Sequence, residues 1–305
     1  MNDINFKHSI IFFNLCILIS PFYLMLNQEP IILCLFTILI IGISHGSLDN
    51  NKGRIILEKK FPKKWSFVFY GAYLLTSVFV LVAWIYSPLI SLCIFFLIAS
   101  FHFGYEDLEM FFNQNFILQI LLYFLRGLIV ISAPLYLNNI ETTNFINILL
   151  LGEKWINLES ATYGYIFYFN LISILSLTFL FWVRKNINLK DFFIIMTEVF
   201  SIVIIFQYLP LILAFTMYFC FMHSTKHILS LAIELNSYNV YAGIKSFAKK
   251  AAPLTIITFV MSLIMLFYLS KEFSVDKSIL KVIFIGLAAL TLPHIMLEYI
   301  YGKYK

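Results

Sequence analysis

Apolar residues run in long uninterrupted stretches along this chain, and polar residues collect in the gaps between them. Ten such stretches can be drawn: 9–26, 30–49, 65–87, 88–110, 116–137, 161–183, 191–209, 210–235, 253–270 and 278–300. Each is close to the ~20 residues an α-helix needs to cross a hydrocarbon core about 30 Å thick. In lipid a spanning segment must satisfy its own backbone, so the pattern predicts an all-α fold, a polytopic transmembrane helical bundle of about ten spans. Pro30, Pro88 and Pro210 open three of the stretches, which suits a first helical turn whose N–H groups have no intrahelical acceptor. The longest connector is 138–160; its 145–156 stretch and Tyr241–Lys249 are apolar enough to lie along the interface. No repeat with a period of about 20–50 residues stands out, so residues 1–305 read as a single transmembrane domain.

Composition agrees with the pattern. Of 305 residues, 61% are hydrophobic and 12% charged, against about 25% charged in soluble domains, and mean hydropathy is +0.90. The net charge of +5 is not gathered into a stripe for nucleic acid. Fifteen Lys and Arg, from Lys7 through Lys59, Lys60, Arg184 and Lys250 to Lys303 and Lys305, fall in connectors on one side; four, Lys154, Lys271, Lys277 and Lys281, fall on the other. The positive-inside rule then expects an even number of spans, both termini in the cytoplasm and a multi-pass protein of the cell inner (plasma) membrane. Cys16, Cys34, Cys93 and Cys220 lie apart within apolar runs, which supports neither a disulfide framework nor a zinc ribbon. Asn27-Gln28-Glu29 after the first run is not a small-residue cleavage site, so no cleavable signal peptide is expected.

The histidines change the picture most. His8 sits at the chain's start and reads as a solvated interfacial residue. His45, His102, His223, His227 and His294 all fall in apolar stretches that, in the expected topology, run from outside to inside. Counted from the start of each stretch they are 13–17 residues along, or about 20–25 Å deep at ~1.5 Å per residue. A buried polar group without a partner costs ~1–3 kcal/mol, so these side chains are expected to face inward. Each alone is readily a histidine hydrogen-bonded across two helices. Together they point to a metal site, because His223 and His227 are four apart and share a helix face, and imidazoles suit Zn, Cu, Fe or Ni. Asp49, one turn after His45, is the best candidate to hold the second nitrogen of a ligand histidine. Glu106, Asp107 and Glu298, also a turn or so beyond histidines, could each accept such a hydrogen bond or be a helix-end charge, the role favoured for Glu106 and Glu298. Gly42 and Gly46 have the spacing that lets a neighbouring backbone approach, or simply packs helices. Arg126 and Lys226 are intramembrane charges, serving function, snorkelling or paired with a carboxylate.

No nucleophile elbow, dinucleotide fingerprint, phosphate-binding loop or H-E-x-x-H pair is present, and no catalytic nucleophile is expected. Membrane desaturases need more histidines than the six here. In HGSLDN at 45–50, SFHFGYED at 100–107, MHSTKH at 222–227 and LPH at 292–294, the chain resembles the Brp/Blh family of bacterial and archaeal integral-membrane β-carotene 15,15′-dioxygenases. The resemblance spans about 250 residues. It implies cleavage of the central double bond of β-carotene by O₂ to give two all-trans-retinal, with Fe(2+) held by His45, His102, His223 and His227. His294 would be a further ligand or a support for one. Asn50 and Lys226 depart from the family pattern, where histidine and arginine are frequent; they leave the substrate less certain than the chemistry. Phe101, Phe103 and Tyr105 are candidates to line a polyene tunnel, although aromatic residues are normal in membrane interiors. The expected partners are β-carotene, O₂, the lipid bilayer and, functionally, a microbial rhodopsin. Two other readings stay open: another iron-dependent carotenoid or lipid oxygenase, and a histidine-lined membrane transporter or proton relay. Histidines on helices of one direction argue against the inverted repeat usual in transporters.

Overall fold

Helix boundaries in the computed structural model, which describes residues 2–26, 30–112, 117–155 and 158–302, fall within a few residues of most of the apolar stretches. In chain order they are α1 Asn2–Leu26, α2 Ile31–Thr37, α3 Asp49–Leu57, α4 Trp65–Tyr86, α5 Pro88–Leu108, α6 Ile117–Leu137, α7 Asn139–Leu149, α8 Ser160–Val183, α9 Leu189–Tyr208, α10 Leu211–Thr216, α11 Thr225–Leu235, α12 Val240–Leu269 and α13 Val275–Gly302. Pro88 is the first residue of α5, and Pro210 stands at the N-cap of α10, where the missing N–H costs nothing. Two segments are more loosely wound. Ile38–Gly42, after α2, and Met217–Ser224, between α10 and α11, are π-helical, and Ser44–Leu48 is a 3-10 turn leading into α3.

Among the described residues, eight helical stretches are long and apolar enough to cross a membrane: Ile4–Tyr23, Ile31–Leu57, Trp65–Tyr86, Pro88–Phe111, Ile117–Leu137, Ser160–Val183, Val240–Leu269 and Val275–Gly302. The two further spans expected at 191–209 and 210–235 are not among them. The first is α9, which buries Asp191 and Glu198. The second is divided into α10, the π-helical segment and α11. The expected interfacial segment Tyr241–Lys249 forms the opening turns of α12, started by the Asn239 side chain accepting from the Ala242 N–H. Asn27, Gln28, Glu29, Phe116, Ile156, Lys303 and Lys305, which entered the expectations above, lie outside the described residues.

The helices gather into two compact units of interleaved segments. The first comprises Met1–Cys34, Phe96–Ile146 and Trp155–Ser230; the second, Leu35–Phe95, Asn147–Lys154 and Leu231–Lys305. In the first, α6 packs on α8 and α9, and α1 packs on α9 and on the π-helical segment 217–224. Helix α5 crosses α6 with backbones in contact. A Cβ on Gly104 would stand 1.7 Å from the Tyr123 carbonyl oxygen, and one on Gly127 would stand 1.8 Å from that of Ser100. This close approach, which the spacing of Gly42 and Gly46 had suggested elsewhere, brings the polar end of α5 beside Arg126. In the second unit α13 packs against α4, α3 and α12, and α12 also covers the 3-10 turn. No residue in the most apolar window of α12 is fully buried, a surface suited to lipid.

Candidate metal centre

In the first unit, the chemistry gathers around Glu106. This residue lies on α5, one turn after His102, and its side chain is only 7% exposed, where a charge at the membrane interface had been expected. Nε2 of His223 and Nδ1 of His227 approach its Oε2 at 3.4 and 3.5 Å, and Nδ1 of His102 approaches Oε1 at 3.7 Å. The His102 and His223 rings meet edge-on with centroids 5.5 Å apart. The four-residue spacing of His223 and His227 thus turns both rings to one carboxylate, as their shared helix face implied. These separations exceed ordinary N–H···O distances. Two ligand atoms bound to one ion at ~2.1 Å and a tetrahedral angle would lie about 3.4 Å apart. Three imidazole nitrogens thus approach one carboxylate, and imidazole and carboxylate are ligand types suited to a first-row divalent metal.

Behind this cluster lies a buried charge network. Asp107 accepts from His223 Nδ1 at 3.0 Å and from the Tyr218 hydroxyl at 3.2 Å, and Arg126 stands 3.2 Å from it. Lys226 donates to the Asp107 carbonyl at 3.0 Å and to Glu198 at 2.8 Å. Glu198 also receives the Ser9 hydroxyl at 2.6 Å and lies 3.5 Å from Arg126. Two cations and two carboxylates, all 2% exposed or less, therefore balance one another. Arg126 and Lys226 are paired inside the unit and do not snorkel. With Nδ1–H held by Asp107, the His223 tautomer is fixed and Nε2 carries the lone pair.

The second unit holds His45 and His294, whose rings meet edge-on with centroids 5.5 Å apart. His45 Nδ1 donates to the carbonyl of Gly42, the last residue of the π-helical segment before it. His294 Nδ1 lies 2.8 and 3.0 Å from the two oxygens of Asp49, and the Tyr73 hydroxyl donates to the same carboxylate at 3.1 Å. Asp49 does hold a histidine, as expected, but the histidine is His294 from α13. Asp49, His294 and Glu298 each offer a ligand atom within 4.8 Å of the others. Glu298, however, is engaged by Lys52.

Of the aromatic candidates, Phe103 packs on the His223 ring at 4.8 Å and on Tyr218 and Phe219. Phe101 and Tyr105 stack on each other, 38% and 40% exposed, on a different face of α5. His8 is not a solvated end: its Nε2 donates to the Phe221 carbonyl at 2.8 Å, within the second π-helical segment. Both π-helical segments thus offer a carbonyl to a histidine. Reading the sequence missed Glu198, Tyr73 and Tyr218. Glu198 carried a signal, because two cations in apolar stretches demand acids to match them. The tyrosines carried none.

Comparison with known proteins adds to this geometry. The profile of the family described as Beta-carotene 15,15'-dioxygenase matches residues 36–301. A protein of that name from an uncultured marine bacterium, 66A03, is 26% identical over 278 residues, covering 88% of this chain and 93% of its own. No solved structure matches the chain significantly.

Proposed function

Because the chain belongs to the β-carotene 15,15′-dioxygenase family, we propose that it splits the central 15,15′ double bond of β-carotene with O₂ and releases two molecules of all-trans-retinal. The observation that carries this reading furthest is the set of imidazoles held in one tautomer by carboxylates or backbone carbonyls within apolar helices. On this reading His45, His102, His223 and His227 are ligands of Fe(2+), and Glu106 offers a carboxylate to the same chemistry. Ferrous iron, when bound, supplies the redox chemistry by which O₂ reacts with a closed-shell double bond.

The chain's own part is positioning. Asp107 and the Gly42 carbonyl hold the Nδ1 protons of His223 and His45, so each ring keeps its Nε2 lone pair. The Arg126–Lys226–Glu198 network keeps Asp107 an anion that accepts from His223. Phe103 supplies an apolar wall against the His223 ring, suited to a polyene. No side chain serves as nucleophile. A substrate that dissolves only in lipid agrees with a multi-pass protein of the inner membrane, both termini cytoplasmic, and retinal is the product a microbial rhodopsin would draw on.

The test is expression in a bacterium that makes β-carotene, with retinal and longer apocarotenals separated by chromatography. Retinal as the sole aldehyde is expected. Undiminished β-carotene beside well-expressed protein overturns the reading, and an apocarotenal of another length moves the cleavage site. Replacing His223 or His227 with alanine should abolish both bound iron and activity.

A further inference from the structure

Helix α1 turns a polar stripe toward the rest of the first unit. His8, Ser9, Phe12 and Cys16 follow Asn5 by three, four, seven and eleven residues, a spacing that gathers all five on one helix face. Asn5, Ser9, Phe12 and Cys16 are each 3% exposed or less. From this face Asn5 donates to the Met110 sulfur at 2.8 Å, His8 Nε2 to the Phe221 carbonyl at 2.8 Å and the Ser9 hydroxyl to Glu198 at 2.6 Å. Three side chains within two turns thus reach three segments: the 3-10 turn after α5, the π-helical Met217–Ser224 and α9. Helix α1 lies ahead of residues 36–301, the part matched by the family profile, so the family likeness does not account for these contacts.

The His8 bond falls where the backbone is irregular. In an α-helix the Phe221 carbonyl would accept from the N–H four residues on, that of Thr225. Here the Thr225 N–H is turned to the Cys220 and Met222 carbonyls, and the Thr225 hydroxyl also donates to Cys220 at 2.8 Å. His8 brings Phe221 a donor from another helix. Its tautomer follows, because Nδ1 of His8 is buried with no hydrogen-bond partner among the described residues; the proton belongs on Nε2, where an acceptor stands.

We propose that His8 is a positioning residue: its Nε2–H holds the Phe221 carbonyl and so keeps Met217–Ser224 in the winding that turns His223 and His227 to Glu106. Without that donor, the Thr225 N–H is the nearest replacement, and taking it rewinds the segment toward α-helix. One residue of register is ~100° of rotation, enough to swing both imidazoles away from the carboxylate they approach at 3.4 and 3.5 Å. The metal reading above enters only in what those imidazoles are aimed for.

The test uses the purified full-length protein in detergent, followed by amide hydrogen exchange and, after stripping with a chelator, by Co²⁺ titration, whose visible absorption reports ligand geometry. His8→Met keeps the length of the side chain and loses the donor; His8→Gln keeps an N–H at nearly the same reach. In His8→Met, amides of Met217–Ser224 should exchange roughly tenfold faster, the worth of about one net hydrogen bond, with α8 unchanged. Co²⁺ binding should weaken about tenfold, as for loss of a ligand's support, and its spectrum should shift. His8→Gln should restore both. Phe12→Ala, which costs packing and no donor, should lower the unfolding temperature and leave the Co²⁺ spectrum as in the parent. Parental exchange in His8→Met, failure of His8→Gln to rescue, or the same spectral shift in Phe12→Ala overturns the proposal. Should His8→Met not fold, ¹⁵N-histidine spectra of the unaltered protein decide, with the His8 signals identified by their loss in His8→Gln: a proton on Nε2 supports the proposal and one on Nδ1 overturns it. If exchange behaves as expected and the unaltered protein binds no Co²⁺, the hold of His8 on the segment stands and the metal reading falls.

Discussion

Arg126, Lys226, Asp107 and Glu198 meet inside the first unit with two charges of each sign, and no member is more than 2% exposed. Such a network contributes little net stability while intact, because desolvation offsets the attraction. Removing one member is different, since it leaves a buried charge uncompensated at about 3–5 kcal/mol. Arg126→Leu is therefore expected to lower the stability of the detergent-solubilised protein by about that amount, read as a fall in its unfolding temperature. Ser9→Ala, which removes one neutral donor from Glu198, should cost nearer 1–3 kcal/mol, the usual penalty for a buried acceptor losing a partner. Stability of Arg126→Leu equal to the parent's would show that the network is not a structural element.

At the scale of helices, close contacts and irregular winding carry the argument. Gly104→Ala drives a methyl into the Tyr123 carbonyl, and overpacking of this kind costs typically 1–3 kcal/mol. Gly286→Ala, with nothing within 4 Å of its added carbon, should be near neutral in the same thermal assay. Deleting Phe219 should relax the π-helical Met217–Ser224 segment to α-helix. That turns His223 and His227 by about 100° relative to α10, and Co²⁺ affinity should fall at least about tenfold with helical circular dichroism retained. Eight of the ten expected spans were legible in the apolar pattern: 161–183 was expected and α8 is Ser160–Val183. The π-helical segments were not, because one extra residue in an apolar run leaves its hydropathy unchanged. Which imidazole Asp49 holds was equally hidden, since spacing points to its neighbour His45 while the partner lies 245 residues away. The histidines could be found because a polar side chain in an apolar helix stands out; their supporting tyrosines could not.

For the molecule as a whole, the asymmetry of fifteen against four basic residues in the connectors makes a topological prediction. A green fluorescent protein fused after Lys305 should be fluorescent and an alkaline phosphatase fused there inactive; the reverse result would invert the orientation. The division into two units could not be read from the sequence. Of its five boundaries only 154/155 lies between helices; 34/35, 95/96, 146/147 and 230/231 fall inside α2, α5, α7 and α11, whereas domain boundaries usually fall in exposed linkers. Interleaving has a consequence during synthesis. At ~5–20 residues per second, the 245 residues between Asp49 and His294 take about 10–50 s to make, and the 116 between Asp107 and His223 take about half as long. Every residue of the first unit has been synthesised once Ser230 is added. Asp49 is made long before the imidazole it will hold exists, so until α13 arrives its carboxylate has the Tyr73 hydroxyl of α4, and not His294, as a partner.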